Sequence, residues 1–176
     1  GLTGKLMVTA GNENSRGTGQ LINASVAYTS GPLSATAVVG GVRQGAAMIT
    51  TTASPEWMRS WMVGAKYDFG VAKVFAGAYQ FTGPQNFANL SSVATLGAPG
   101  ASTQAYTWDK NRILWLGASV PMGPGVLLAQ VARETFPYAG TSDGAATILG
   151  LAYDYYLSKR TVVYASYGQV TNNGRA

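Results

Sequence analysis

Histidine and cysteine are both absent from this 176-residue sequence, so its chemistry must come from twelve lysines and arginines, seven carboxylates and its hydroxyl groups. Without imidazole the usual general base and commonest metal ligand are missing. Without thiols there is neither a disulfide nor a thiolate zinc site. Ser158-Lys159 lacks the Ser-x-x-Lys spacing of the serine–lysine acyl enzymes. The carboxylates Glu13, Glu56, Asp68, Asp109, Glu134, Asp143 and Asp154 fall on separate elements and form no local acid–base pair. No catalytic residue, metal-ligand set or cofactor is therefore assigned. The loop carboxylates Glu13, Asp109 and Asp143 would hold calcium only if folding clustered their oxygens. Gly17-Thr18-Gly19 and Gly123-Pro124-Gly125 continue into no phosphate-binding pattern.

The cations carry the sharpest functional signal. Net charge is +5, yet Lys5, Arg16, Arg43, Arg59, Lys66, Lys73, Lys110, Arg112 and Arg133 are scattered singly, and only Lys159-Arg160 adjoin. Scatter of this kind argues against a nucleic-acid surface, which needs clustered charge. Spread one or two per segment end, the same charges suit attraction of small anions into a lined channel, because low-dielectric walls focus the field. Lys5, Arg43, Arg59, Lys66, Arg112 and Arg133 are the candidate pore-lining residues. Lys5 and Lys66 have the inward parity most clearly; Arg43, Arg112 and Arg133 equally fit the outer side.

Positioning such residues requires a wall, and the pattern supplies one. The chain is 47% hydrophobic but only 11% charged, against about 25% charged in soluble domains. No run approaches the ~18 apolar residues of a spanning helix. Instead, about nine segments of roughly ten residues alternate apolar with small or polar side chains. Ile22, Ala24, Val26 and Tyr28 share one parity while Asn23, Ser25 and Thr29 share the other, and Trp61, Val63, Ala65, Tyr67 and Phe69 oppose Ser60, Gly64, Lys66 and Asp68. The segments 72–81, 112–120 and 126–135 are apolar on both parities for part of their length.

Connections alternate between very short (Ser30-Gly31-Pro32, Gly70-Val71, Met122 to Gly125, and Leu157-Ser158-Lys159-Arg160) and long, near 12–18, 45–58, 83–109 and 137–143. Tight turns on one side and long loops on the other mark an antiparallel transmembrane β-barrel, with Ser158, Lys159 and Arg160 forming a periplasmic turn. The whole of 1–176 reads as part of one such barrel domain. Aromatics near segment ends, notably Tyr28, Trp57, Trp61, Tyr67, Phe69, Tyr79, Phe81, Tyr153, Tyr155 and Tyr167, match interfacial girdles. Trp115 and Tyr164 fall on the inward parity.

The run Tyr153-Asp154-Tyr155-Tyr156-Leu157-Ser158-Lys159-Arg160-Thr161-Val162-Val163-Tyr164-Ala165-Ser166-Tyr167 resembles the penultimate hairpin of beta-proteobacterial general porins, and residues 27–33 and 116–123 resemble other hairpins of that family. The resemblance implies an outer-membrane homotrimer of sixteen-stranded barrels embedded among outer-membrane lipid and lipopolysaccharide. Such a porin passes small hydrophilic solutes and ions, moderately prefers anions and uses no cofactor. On that alignment the nine segments correspond to about the seventh to fifteenth strands, so the chain reads as an internal segment without the constriction loop. Two other readings compete: a substrate-specific channel with a sugar or carboxylate ladder, which inward aromatics would support, and a secreted β-rich adhesin or soluble sandwich.

Overall fold

The computed structural model describes residues 1–11, 19–44, 56–83, 110–136 and 144–173. These contain nine strands: β1 (Leu2–Thr9), β2 (Leu21–Ser30), β3 (Leu33–Gln44), β4 (Glu56–Asp68), β5 (Lys73–Thr82), β6 (Lys110–Met122), β7 (Gly125–Phe136), β8 (Gly144–Ser158) and β9 (Thr161–Asn173). All nine form one antiparallel sheet in strict sequence order, β1 to β9. The protein is all-β, and a soluble sandwich, which needs two facing sheets, is excluded for these strands. β4 begins at Glu56, inside the stretch 45–58 expected as a loop, because the ladder with β3 continues through Val42 with Met58, Arg43 with Trp57 and Gln44 with Glu56. The expected loops at 12–18 and 137–143, and residues 45–55 and 84–109 of the other two, lie outside the described residues.

Local sequence explains the reversals. Ser30 pairs with Leu33 and Met122 with Gly125, leaving Gly31-Pro32 and Gly123-Pro124 as two-residue turns. Gly31 and Gly123 have φ of 52° and 57°, as the first central position of a type II′ hairpin requires, while proline suits the second and needs no N–H partner there. Between β4 and β5, Asp68 Oδ1 accepts a 2.9 Å hydrogen bond from the Gly70 amide and the Phe69 amide bonds Ala72 at 2.8 Å. The Lys159-Arg160 turn is held by Ser158 Oγ, which accepts from the Arg160 amide at 3.1 Å.

Directly paired residues of an antiparallel ladder share a face, so the register carries one parity through the whole sheet. Leu2, Tyr28, Ala35, Ala65, Ala76, Leu116, Val131, Leu149 and their i±2 neighbours occupy one face. That face holds most of the large exposed apolar side chains, including Leu6 at 73%, Leu116 at 53% and Leu151 at 41% exposure. Only Ala132, Ala145 and Ala146 are buried hydrophobics among the described residues. The sheet is a single layer without a core of its own, and its apolar face exceeds what a soluble monomer leaves in water.

Candidate functional site

The opposite face carries the polar groups. Lys5 pairs with Ser25, Lys66 with Ser34 on one side and Phe75 on the other, and Lys73 with Asp68 and Ser119, so all three lysines share it. Lys73 Nζ sits 3.4 Å from Asp68 Oδ2. Among the described residues no carboxylate lies within ion-pair distance of Lys5 or Lys66, both exposed. Glu134 and Asp154 join this face. Asn111, only 4% exposed, donates from Nδ2 to Glu134 Oε1 and so fixes that carboxylate against the wall.

Over β5 and β6 the same face changes character. Phe75 pairs with Gly117 and Gly77 with Trp115, and the two rings cross in opposite directions. A Cβ built on Gly117 would overlap the Phe75 ring, and one built on Gly77 would overlap Trp115 while meeting the Val63 carbonyl oxygen at 2.7 Å. The indole reaches on toward β4, where a Cβ on Gly64 would lie 3.9 Å from Trp115 Cζ2. Each aromatic therefore extends over glycine on the neighbouring strand and occupies the space of the side chain that glycine lacks. This accounts for the apolar residues on both parities of 72–81 and 112–120, though not for Val126 and Leu128 in 126–135. Tyr79 and Phe81, expected in a girdle, also belong to this face, because they pair with Met62 and Ser60. Their rings stand 6.3 Å apart at 45°.

A family model described as Gram-negative porin matches residues 1–175. The chain belongs to the Gram-negative porin family. Membership places it in the bacterial outer membrane, with the apolar face toward lipid. Its fold is that of solved porin barrels. It is similar to the anion-selective porin from Comamonas acidovorans (TM-score 0.74, 24% identity, covering 98% of this chain and 46% of that one). A loop L8 deletion mutant of OmpT, an outer-membrane protein of Vibrio cholerae, gives 0.68 at 14% identity, covering 97% and 54%. A porin refined at 1.8 Å gives 0.65 at 16%, covering 99% and 52%. The porin chain here thus spans about half the length of these structures. No curated protein matches its sequence.

The porin's apolar face is chemically different at its two ends. Arg43, Arg59, Arg112 and Arg133, candidates for the lumen on sequence, have the parity of Trp61, Leu114 and Val131 rather than that of Lys5 and Lys66. All four lie within three residues of strand ends that lead to the long connections. Arg43 Nη1 donates to Gln20 Oε1 at 3.5 Å and Arg112 Nη2 to Gln80 Oε1 at 3.3 Å, so amides rather than carboxylates orient them. Among the described strand residues this face carries no carboxylate. Toward the short turns it carries Tyr28, Tyr67, Phe69, Tyr153 and Tyr155 instead. The Tyr67 and Phe69 rings lie 4.6 Å apart, and Tyr153 packs on Gly125 while its hydroxyl donates to the Met122 carbonyl at 2.8 Å.

Proposed function

We propose that this chain forms part of the wall of a homotrimeric diffusion porin that passes small hydrophilic solutes and ions with a moderate preference for anions. The observation that carries the reading is the segregation of side chains by register: one face apolar at the strand midpoints, the other bearing Lys5, Lys66, Ser25, Ser34 and Thr36. Such a sheet fits lipid on one side and water on the other. Transport is passive and needs no cofactor or covalent step; size and charge select.

Lys5 and Lys66 line the lumen in this reading, and two facts support an anion preference. Asp68 is neutralised by Lys73 and no carboxylate lies within ion-pair distance of Lys5 or Lys66 among the described residues, although Glu134 and Asp154 bring negative charge to the β7 and β8 part of this face. The Comamonas relative is itself named anion-selective. Arg43, Arg59, Arg112 and Arg133 work on the other side, facing lipopolysaccharide phosphates at the long-loop rim. Cations on a lipid-facing surface cost about 2–4 kcal/mol at the midplane and little at the interface, which agrees with their position near strand ends. The short-turn rim, with tyrosines, suits a phospholipid interface.

The test is the zero-current potential of the full-length porin in a planar bilayer under a potassium chloride gradient. Ohmic conductance with reversal toward the chloride potential is expected. Reversal toward potassium would remove the anion preference; correctly folded protein without conductance would remove the porin reading.

A further inference from the structure

The paved part of the polar face has more order than a smooth wall requires. Along one line perpendicular to the strands stand Ser34, Lys66, Phe75, Gly117 and Gln130, each the direct cross-strand partner of the next. The parallel line two residues along runs Thr36, Gly64, Gly77, Trp115 and Ala132. Phe75 lies over Gly117 and Trp115 over Gly77. Each ring therefore covers the backbone of the neighbouring strand, and both side chains are only part-buried, so part of each ring is accessible from in front of the sheet. Ala132, 7% exposed, and the three glycines keep side chains from standing between or over them.

The tile has a polar edge on each flank. The exposed Lys66 is opposite Phe75, with no carboxylate at ion-pair distance among the described residues. Gln130 is opposite Gly117 and exposed. Direct cross-strand neighbours are separated by about 5 Å between Cβ atoms, so the three steps from cation across the ring floor to amide span roughly 15 Å. Open π faces stack planar apolar rings, a lysine ammonium pairs with carboxylate, and a free amide serves as donor or acceptor at the far end.

Resting on the reading of this face as lumenal, we propose that Phe75, Trp115, Lys66 and Gln130 form a weak subsite for aromatic carboxylates on the channel wall. The ligand's ring lies on the Phe75–Trp115 tile and its carboxylate meets Lys66. A pore benefits from a site of this strength, because binding must be favourable enough to enter and weak enough to leave.

Benzoate, cyclohexylamine and acetate are the probes, added singly to the full-length porin in a planar bilayer carrying a chloride current. Benzoate is expected to reduce the current saturably at a concentration about tenfold lower than acetate, the difference of ~1.4 kcal/mol being of the size of one stacked ring. Cyclohexylamine, which offers a cation to a cation, should not block. The benzoate-to-acetate ratio, read within each variant, should fall toward unity in Phe75→Leu and Trp115→Leu. In Lys66→Gln, benzoate block should weaken relative to that by phenol. Equal block by benzoate and acetate in a conducting channel, or ratios unchanged in Phe75→Leu and Trp115→Leu, would overturn the subsite and leave the porin standing. Folded protein with no conductance would overturn both.

Discussion

Two halves of the same sheet face solve different problems with the same parity. On β1 to β4 the polar face is mainly hydroxyls, lysines and Asp68, with Met7, Val38 and Met62 interspersed, as expected when water lies in front. On β5 and β6 it is aromatic, yet the rings do not stand out into that space; they lie across Gly77 and Gly117 on the neighbouring strand. The first half is solvated and the second is paved. Position on a face therefore does not decide whether a side chain serves solvent or the wall, and the residue directly opposite does.

The strongest way to break this comparison is to fill the paving's bed. Gly77→Ala places its methyl against Trp115 and the Val63 carbonyl, an overpacking expected to cost about 1–3 kcal/mol, seen as a lower midpoint for the heat-induced loss of the folded porin. Gly64→Ala, on the same row but with its nearest neighbours at 3.7 and 3.9 Å, should shift that midpoint far less. Equal losses from the two would show that the rings are not what the glycines accommodate.

In the solvated half the large effect is on selectivity rather than stability. Lys5→Gln with Lys66→Gln should move the reversal potential toward potassium while the thermal midpoint stays near that of the parent, since exposed lysines without ion pairs contribute little to folding. On the lipid side, replacing Arg43, Arg59, Arg112 and Arg133 with glutamine should reduce co-purifying lipopolysaccharide and lower stability in lipopolysaccharide-containing membranes but not in phosphatidylethanolamine alone. Loss of stability in both would assign the arginines a role in the wall itself. The smallest change is Tyr153→Phe, which removes the bond to the Met122 carbonyl and should cost about 1 kcal/mol, read as a slight midpoint shift with unchanged conductance.

Strand number, turn positions and the parity of β1 to β4 were legible because alternation, Gly-Pro pairs and isolated cations are local signals. Strand ends were less so: β4 reaches back to Glu56 because β3 keeps pairing past Val42, and nothing within 56–58 alone announces it. The arginines at the rim were ambiguous, since a charge near a strand end is tolerated on either face and only the register separates Arg59 from Lys66. Phe75-x-Gly77 and Trp115-x-Gly117 share a spacing that is visible in the sequence. Its meaning depends on two segments separated by a long connection being brought into one register, which no local pattern specifies.

The strict β1-to-β9 order has a consequence for how such a wall is made. Each strand finds its partner next to it along the chain, so four of the eight pairings close through tight turns and none waits for a distant segment to return. Loop-closure entropy is therefore paid in small instalments. Assembly can advance as a zipper of hairpins, the most recently paired strand offering its free amides and carbonyls as the template for the next.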